Sequence, residues 1–102
     1  MADAKTRGQR ELDAIESVFK ALAHPSRRHI LIVIEAHGGR ITAGKIAERF
    51  AHSWPTISRH LSILQQSGLV SIEAVGRERH YVIEKASLFG VGRNWFDYFD
   101  SS

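Results

Sequence analysis

Apolar residues recur along most of this chain at the spacing of helices, and in one stretch they switch to the spacing of strands. From about Arg10 to Ala23, Leu12, Ile15, Val18, Phe19 and Leu22 keep a helical period. His24-Pro25 ends that helix and opens another, with Pro25 at the first helical position, where its missing N–H costs nothing. The second helix runs to about Ala36 and is apolar at Ile30, Leu31, Val33 and Ile34, which predicts a central place; Gly38-Gly39 closes it. Arg40-Ile41-Thr42 is short and β-prone. Thr42 can cap a helix from about Ala43 to Phe50 that turns Ile46, Ala47 and Phe50 inward. After Ala51-His52, Ser53 is placed as the N-cap of a further helix, in which Ile57, Leu61 and Leu64 share a buried face and which stops at Gly68. Beyond it the period becomes strand-like over Leu69 to Val75 and again over Arg79 to Ile83, with Gly76-Arg77-Glu78 as the turn. Leu88, Phe89, Val91, Trp95, Phe96, Tyr98 and Phe99 make an aromatic last helix, broken or delayed near Gly90 and Gly92. Met1 to about Arg7 has no apolar period and is expected to fray.

Two short helices joined by a tight turn, the second with a polar outer side, form a helix-turn-helix pattern. Opposite Ile57, Leu61 and Leu64 lie Pro55, Arg59, Ser62 and Gln66, with Thr56 beside them. No acidic residue stands between Ser53 and Val70. A helix that had only to be soluble would more usually carry Glu and Lys there; one that lies against a polyanion should avoid carboxylates. The hairpin directly behind that helix reads as a wing, with basic residues at its tip. Charge follows the same pattern. The chain carries a formal +3, but Gly38 to His80 holds six bases against three acids, and the segment from Tyr81 onward two bases against three acids. A mild charge distributed in this way is compatible with double-stranded DNA without demanding it.

Composition narrows the alternatives. A chain of 102 residues is expected to be one domain with a modest core, for which dimerisation can supply extra stability. The absence of cysteine removes disulfides, thiolate metal sites and thiol redox sensing. No run approaches a membrane span and no apolar signal region opens the chain, so it is expected in the cytoplasm, away from membranes. The six histidines lack the i, i+4 spacing of a helical metal site, so neither metal nor cofactor is expected. Ser58 and His60 point to different sides of their helix and form no catalytic dyad, and no phosphate-cradling glycine loop is present; the chain is not expected to be an enzyme.

Leu22-Ala23-His24-Pro25-Ser26-Arg27-Arg28-His29-Ile30-Leu31, Ile46-Ala47-Glu48-Arg49-Phe50, Thr56-Ile57-Ser58-Arg59-His60-Leu61 and Ser67-Gly68-Leu69-Val70, in that order, resemble the ArsR/SmtB family of bacterial winged-helix repressors over residues 12–84. The resemblance implies a homodimer, built from the first and last helices, that binds an inverted repeat and blocks transcription. It implies that Ser53, Thr56, Ser58, Arg59 and His60 face DNA, with Arg77 and Arg79 from the wing; by its own chemistry His60 can touch phosphate or cap a buried carbonyl. Where the family often has Gln after the capping Ser, this chain has Trp54, which can pack on a sugar or against a neighbouring helix. Many relatives sense metals through a Cys-x-Cys pair or through Asp, His and Glu on the last helix; neither pattern stands here.

The expected fold is thus mainly α with a small β-hairpin, a winged helix-turn-helix homodimeric through its first and last helices. Residues 1–9 are expected to be flexible, 10–23 and 85–100 to be dimerisation helices, 43–67 the helix-turn-helix and 69–84 the wing. Leu12, Ile15, Val18, Phe19, Leu88, Phe89, Trp95, Phe96 and Phe99 are the expected seam, because aromatic residues are enriched at such interfaces and would otherwise leave a sticky patch. Two alternatives stay open: a winged helix that serves as a protein-docking module, and a repressor that responds to a small apolar ligand held between the last helix and the core. The sequence identifies no effector.

Overall fold

Thr6 starts the first helix of the computed structural model, which describes residues 4–100. Its hydroxyl accepts from the Gln9 N–H at 3.1 Å and the Gln9 side chain accepts from the Thr6 N–H at 3.0 Å, a capping box. Helix α1 therefore spans Arg7–Leu22 and begins before the apolar period does. Of the stretch expected to be flexible, residues 7–9 are helical and residues 1–3 lie outside the described residues. His24 caps α2 (Pro25–Ala36) by accepting from the Ser26 N–H through Nδ1 at 3.2 Å. Then follow β1 (Arg40–Thr42), α3 (Ala43–Arg49), α4 (Trp54–Gln66), β2 (Val70–Val75), β3 (Glu78–Ile83) and α5 (Lys85–Asp97).

The strands form one antiparallel sheet in the order β1-β3-β2, so the hairpin is extended by β1. Ile41 and Ile72 both face Tyr81 across the register, which puts the three on one side of the sheet. That side closes the core. Ile30 and Ile34 of α2, Ile46 of α3 and Ile57, Leu61 and Leu64 of α4 meet Leu69, Val70 and Tyr81 there. Burial of each large aliphatic side chain is worth about 1.5–3 kcal/mol. Helix α4 is thus held by its inner face alone, and its outer face does no work in the fold.

Two expectations about the terminal helices need correction. Helix α5 runs unbroken through Gly90 and Gly92. A glycine inside a helix costs about 1 kcal/mol relative to alanine. Leu88 and Val91 on the core, and Trp95 edge-on to Phe19 of α1 at 5.5 Å, offset that cost. The second correction concerns the seam. Ile15 and Val18 are 4% and 2% exposed, so they pack inside the protomer and offer nothing to a partner. Leu88 also packs on the core, and Trp95 is half-buried among Phe19, Tyr98 and Phe99. Leu12, Phe19, Phe89, Phe96 and Phe99 are exposed, between 40% and 70%. Among the described residues no helix is long and apolar enough to cross a membrane.

Candidate nucleic-acid interface

Helices α3 and α4 and the turn between them are set by Thr42, Ser53 and Gly68. Thr42 Oγ1 accepts from the Lys45 N–H at 3.3 Å and so opens α3. Ser53 has the extended backbone of an N-cap, but its hydroxyl caps no N–H; it lies 3.1 Å from the Thr56 hydroxyl instead. Both hydroxyls are exposed at the start of α4, where no side chain covers the first-turn N–H groups. A helix start of this kind favours anionic oxygen. At the other end, the Leu69 N–H donates to the Leu64 carbonyl and the Gly68 N–H to the Gln65 carbonyl, both at 3.0 Å. This closure needs a left-handed residue, and Gly68 supplies it with φ +82°.

The outer face of α4 consists of Pro55, Thr56, Arg59, Ser62 and Gln66, all exposed, with Ser58 half-buried at its edge. Trp54 is exposed at the first helical position and, with Ala43, Gly44 and Ala47 of α3, lines a shallow apolar depression. It borders α3 there and remains 43% exposed. In the wing, strands β2 and β3 are joined by the two residues Gly76 and Arg77; Gly76 has φ +61°, as a tight hairpin turn with glycine first requires. Glu78 belongs to β3. Arg77 and Arg79 are exposed at this tip. Across the sheet Arg40 binds Glu73 at 2.6 Å, which neutralises one of the wing's acids. Arg59, Arg77 and Arg79 form no ion pair with any described residue. The chemistry on offer is a row of uncharged donors and acceptors flanked by uncompensated guanidinium groups, which suits phosphate and base edges.

His60 departs from expectation. It is 7% exposed and faces inward, so it does not share the outer face with Arg59. Its Nδ1 lies 3.3 Å from Nη1 of Arg27, and its ring lies 4.5 Å from that of His24. Burial first, then the neighbouring His24, Arg27, His52 and Arg59, hold its pKa below the usual histidine range. The sequence contained the signal: His60 stands three residues after Ile57 and four before Leu64, on the buried stripe. Arg27 carried no expected role, although its side chain joins three elements. Elsewhere, Leu31, Ile32, Ile83, Leu88 and Phe89 line an open apolar groove of about 330 Å³ between α2 and α5, with Lys85 and Glu35 paired at 2.7 Å on its rim.

Known proteins share this fold. Residues 22–73 match the family model described as a helix-turn-helix domain. The transcriptional repressor SdpR of Bacillus subtilis (strain 168) is 42% identical over 74 residues, covering 72% of this chain and 80% of that one. An ArsR-like transcriptional regulator from Rhodococcus sp. RHA1 superposes with a TM-score of 0.76 at 33% identity, over 85% of this chain and 80% of that one. The homodimeric winged helix-turn-helix DNA-binding domain of a possible ArsR-family regulator from Mycobacterium bovis gives a TM-score of 0.72 at 25% identity, over 99% and 93%.

Proposed function

Because the chain belongs to the ArsR family of winged helix-turn-helix, DNA-binding transcriptional regulators, we propose that it represses transcription as a homodimer on an inverted-repeat operator. Family members of this kind are repressor-type regulators, not enzymes. In the proposed complex the two α4 helices enter successive major grooves about one helical turn apart. Thr56 and Arg59 read base edges, Ser53, Trp54 and Ser58 contact backbone, and Arg77 and Arg79 hold the flanking phosphates. Leu12, Phe19, Phe89, Phe96 and Phe99 meet their counterparts in the partner. Sensing does not pass through thiolates, since the chain has no cysteine.

The observation that carries this reading is the outer face of α4. It is exposed, free of carboxylates, and carries Arg59 without an ion pair, while the inner face alone holds the helix. The test is fluorescence anisotropy of the protein on DNA from upstream of its own gene and on a shuffled control, across a salt series. Tight, steeply salt-dependent binding to the first and weak binding to the second is expected. Arg59→Ala should cost about 1–3 kcal/mol of specific binding and leave the control unchanged. A variant that binds like wild type would remove Arg59 as the reader.

A further inference from the structure

We propose that Arg27 and the neutral imidazole of His60 form a clamp that positions α4 for DNA, and that a proton on His60 opens it. The proposal rests on the reading of α4 as the DNA-facing helix. Arg27 lies in the first turn of α2. Its Nε donates to the Ala21 carbonyl at 2.7 Å and its Nη2 to the Lys20 carbonyl at 3.0 Å. Both carbonyls belong to the last turn of α1, where internal donors run out; that of Lys20 also accepts from the Ala23 N–H at 3.3 Å. The remaining arm of the fork, Nη1, reaches His60 Nδ1 in the middle of α4 at 3.3 Å. One planar group therefore ties the end of α1 to the start of α2 and to the reading helix. A lysine, with a single point of charge, could not span these three acceptors in one fixed geometry.

The bond also fixes the chemistry of the imidazole. A guanidinium only donates, so His60 Nδ1 must offer its lone pair and the ring proton must sit on Nε2. A second proton on Nδ1 would place N–H against N–H. It would also meet basic groups from every side: His24 at the junction of α1 and α2, Arg27 on α2, His52 in the turn before α4, and Arg59 on α4 itself. Burial first, and then these neighbouring groups, favour the neutral imidazole. His60 immediately follows Arg59, so a rotation of α4 that carried this ring outward would also re-aim the residue proposed to read bases. The contribution of the clamp is complete above the ordinary histidine pKa of about 6.5 and is lost as pH falls through the lowered value in the folded protein.

His60→Asn puts an amide oxygen near the place of Nδ1 and cannot titrate; His60→Phe fills the site with no acceptor. Specific and control DNA binding would be measured by anisotropy between about pH 8 and pH 5, with circular dichroism to confirm folding at each pH. Wild type should lose specific affinity towards the acid end of this range. Binding to shuffled DNA should not fall over the same range, because phosphate contacts do not depend on how α4 is aimed at bases. His60→Asn should keep the neutral-pH affinity without the acid loss, and folded His60→Phe should bind at neutral pH as weakly as acidified wild type. Arg27→Lys, which keeps the charge and loses the fork, should weaken specific binding and flatten the profile. A His60→Asn profile identical to wild type, or a folded His60→Phe that binds normally, overturns the clamp alone. A wild type that does not discriminate at about pH 8 overturns the DNA reading and the clamp's role with it.

Discussion

Arg59 and Arg77 carry the same charge and should contribute to binding in different currencies. Arg59 projects from a helix whose inner face is locked into the core, so its guanidinium can be aimed at a base edge. Arg77 sits in a two-residue turn at the end of a hairpin, a place suited to touching phosphate. Arg77→Ala should therefore weaken binding to operator and control DNA alike and reduce the slope of log affinity against log salt by about 1. Two salt series on each DNA would show it; loss confined to the operator would make Arg77 a reader too. His60 shows that residue type and helix position can point to different places. Adjacent residues on a helix are about 100° apart, so the neighbour of an outward Arg is free to be a core residue. Its chemical type suggested phosphate, while its spacing from Ile57 and Leu64 placed it inside.

At the scale of elements, the chain shows how much one glycine depends on its setting. Gly68 holds φ +82° at the end of α4, whereas Gly90 is an ordinary helical residue of α5 with open space where a Cβ would stand. The same substitution should act in opposite directions. Gly68→Ala forces an L side chain into a left-handed conformation and should destabilise by about 1–2 kcal/mol. Gly90→Ala should stabilise by about 0.4–1 kcal/mol by restricting the unfolded chain. Urea melts of both variants would check the signs. This contrast also bounds what was legible beforehand. Helices α2 and α4 and the hairpin could be read because long apolar periods and capping residues agreed at both ends. The continuity of α5 could not, because a glycine weakens a helix without forbidding it, and packing against α1 decided the outcome. Strand β1 holds three residues, too few to show alternation, and its register comes from Tyr81 and Ile41 meeting across the sheet.

For the whole molecule the question is what covers the aromatic side. Within one protomer Phe19, Trp95 and Phe99 already stack in edge-on contacts, at 5.5 Å between Phe19 and Trp95 and 5.0 Å between Trp95 and Phe99. Yet Phe96 and Phe99 remain 70% and 68% exposed. The apolar stripe of α1 explains why sequence could not divide core from seam. Ile15 and Val18 occupy its centre and Leu12 and Phe19 its edge, and a period of 3.6 marks the stripe without saying which side meets a second copy. Phe96→Glu should separate these roles. Phe96 contributes little to the protomer, so the monomer should keep its melting behaviour in the absence of association. In a two-fold seam the carboxylate appears twice, and loss of a central aromatic costs about 2 kcal/mol or more at such sites. Sedimentation velocity over a concentration series should show wild type as a dimer and Phe96→Glu shifted towards monomer. Operator affinity should fall with it, because a single α4 spans only one half-site. If the variant stays dimeric, the seam does not include Phe96. If it becomes monomeric and still binds the operator with wild-type affinity, then one protomer suffices for recognition and the inverted-repeat reading fails.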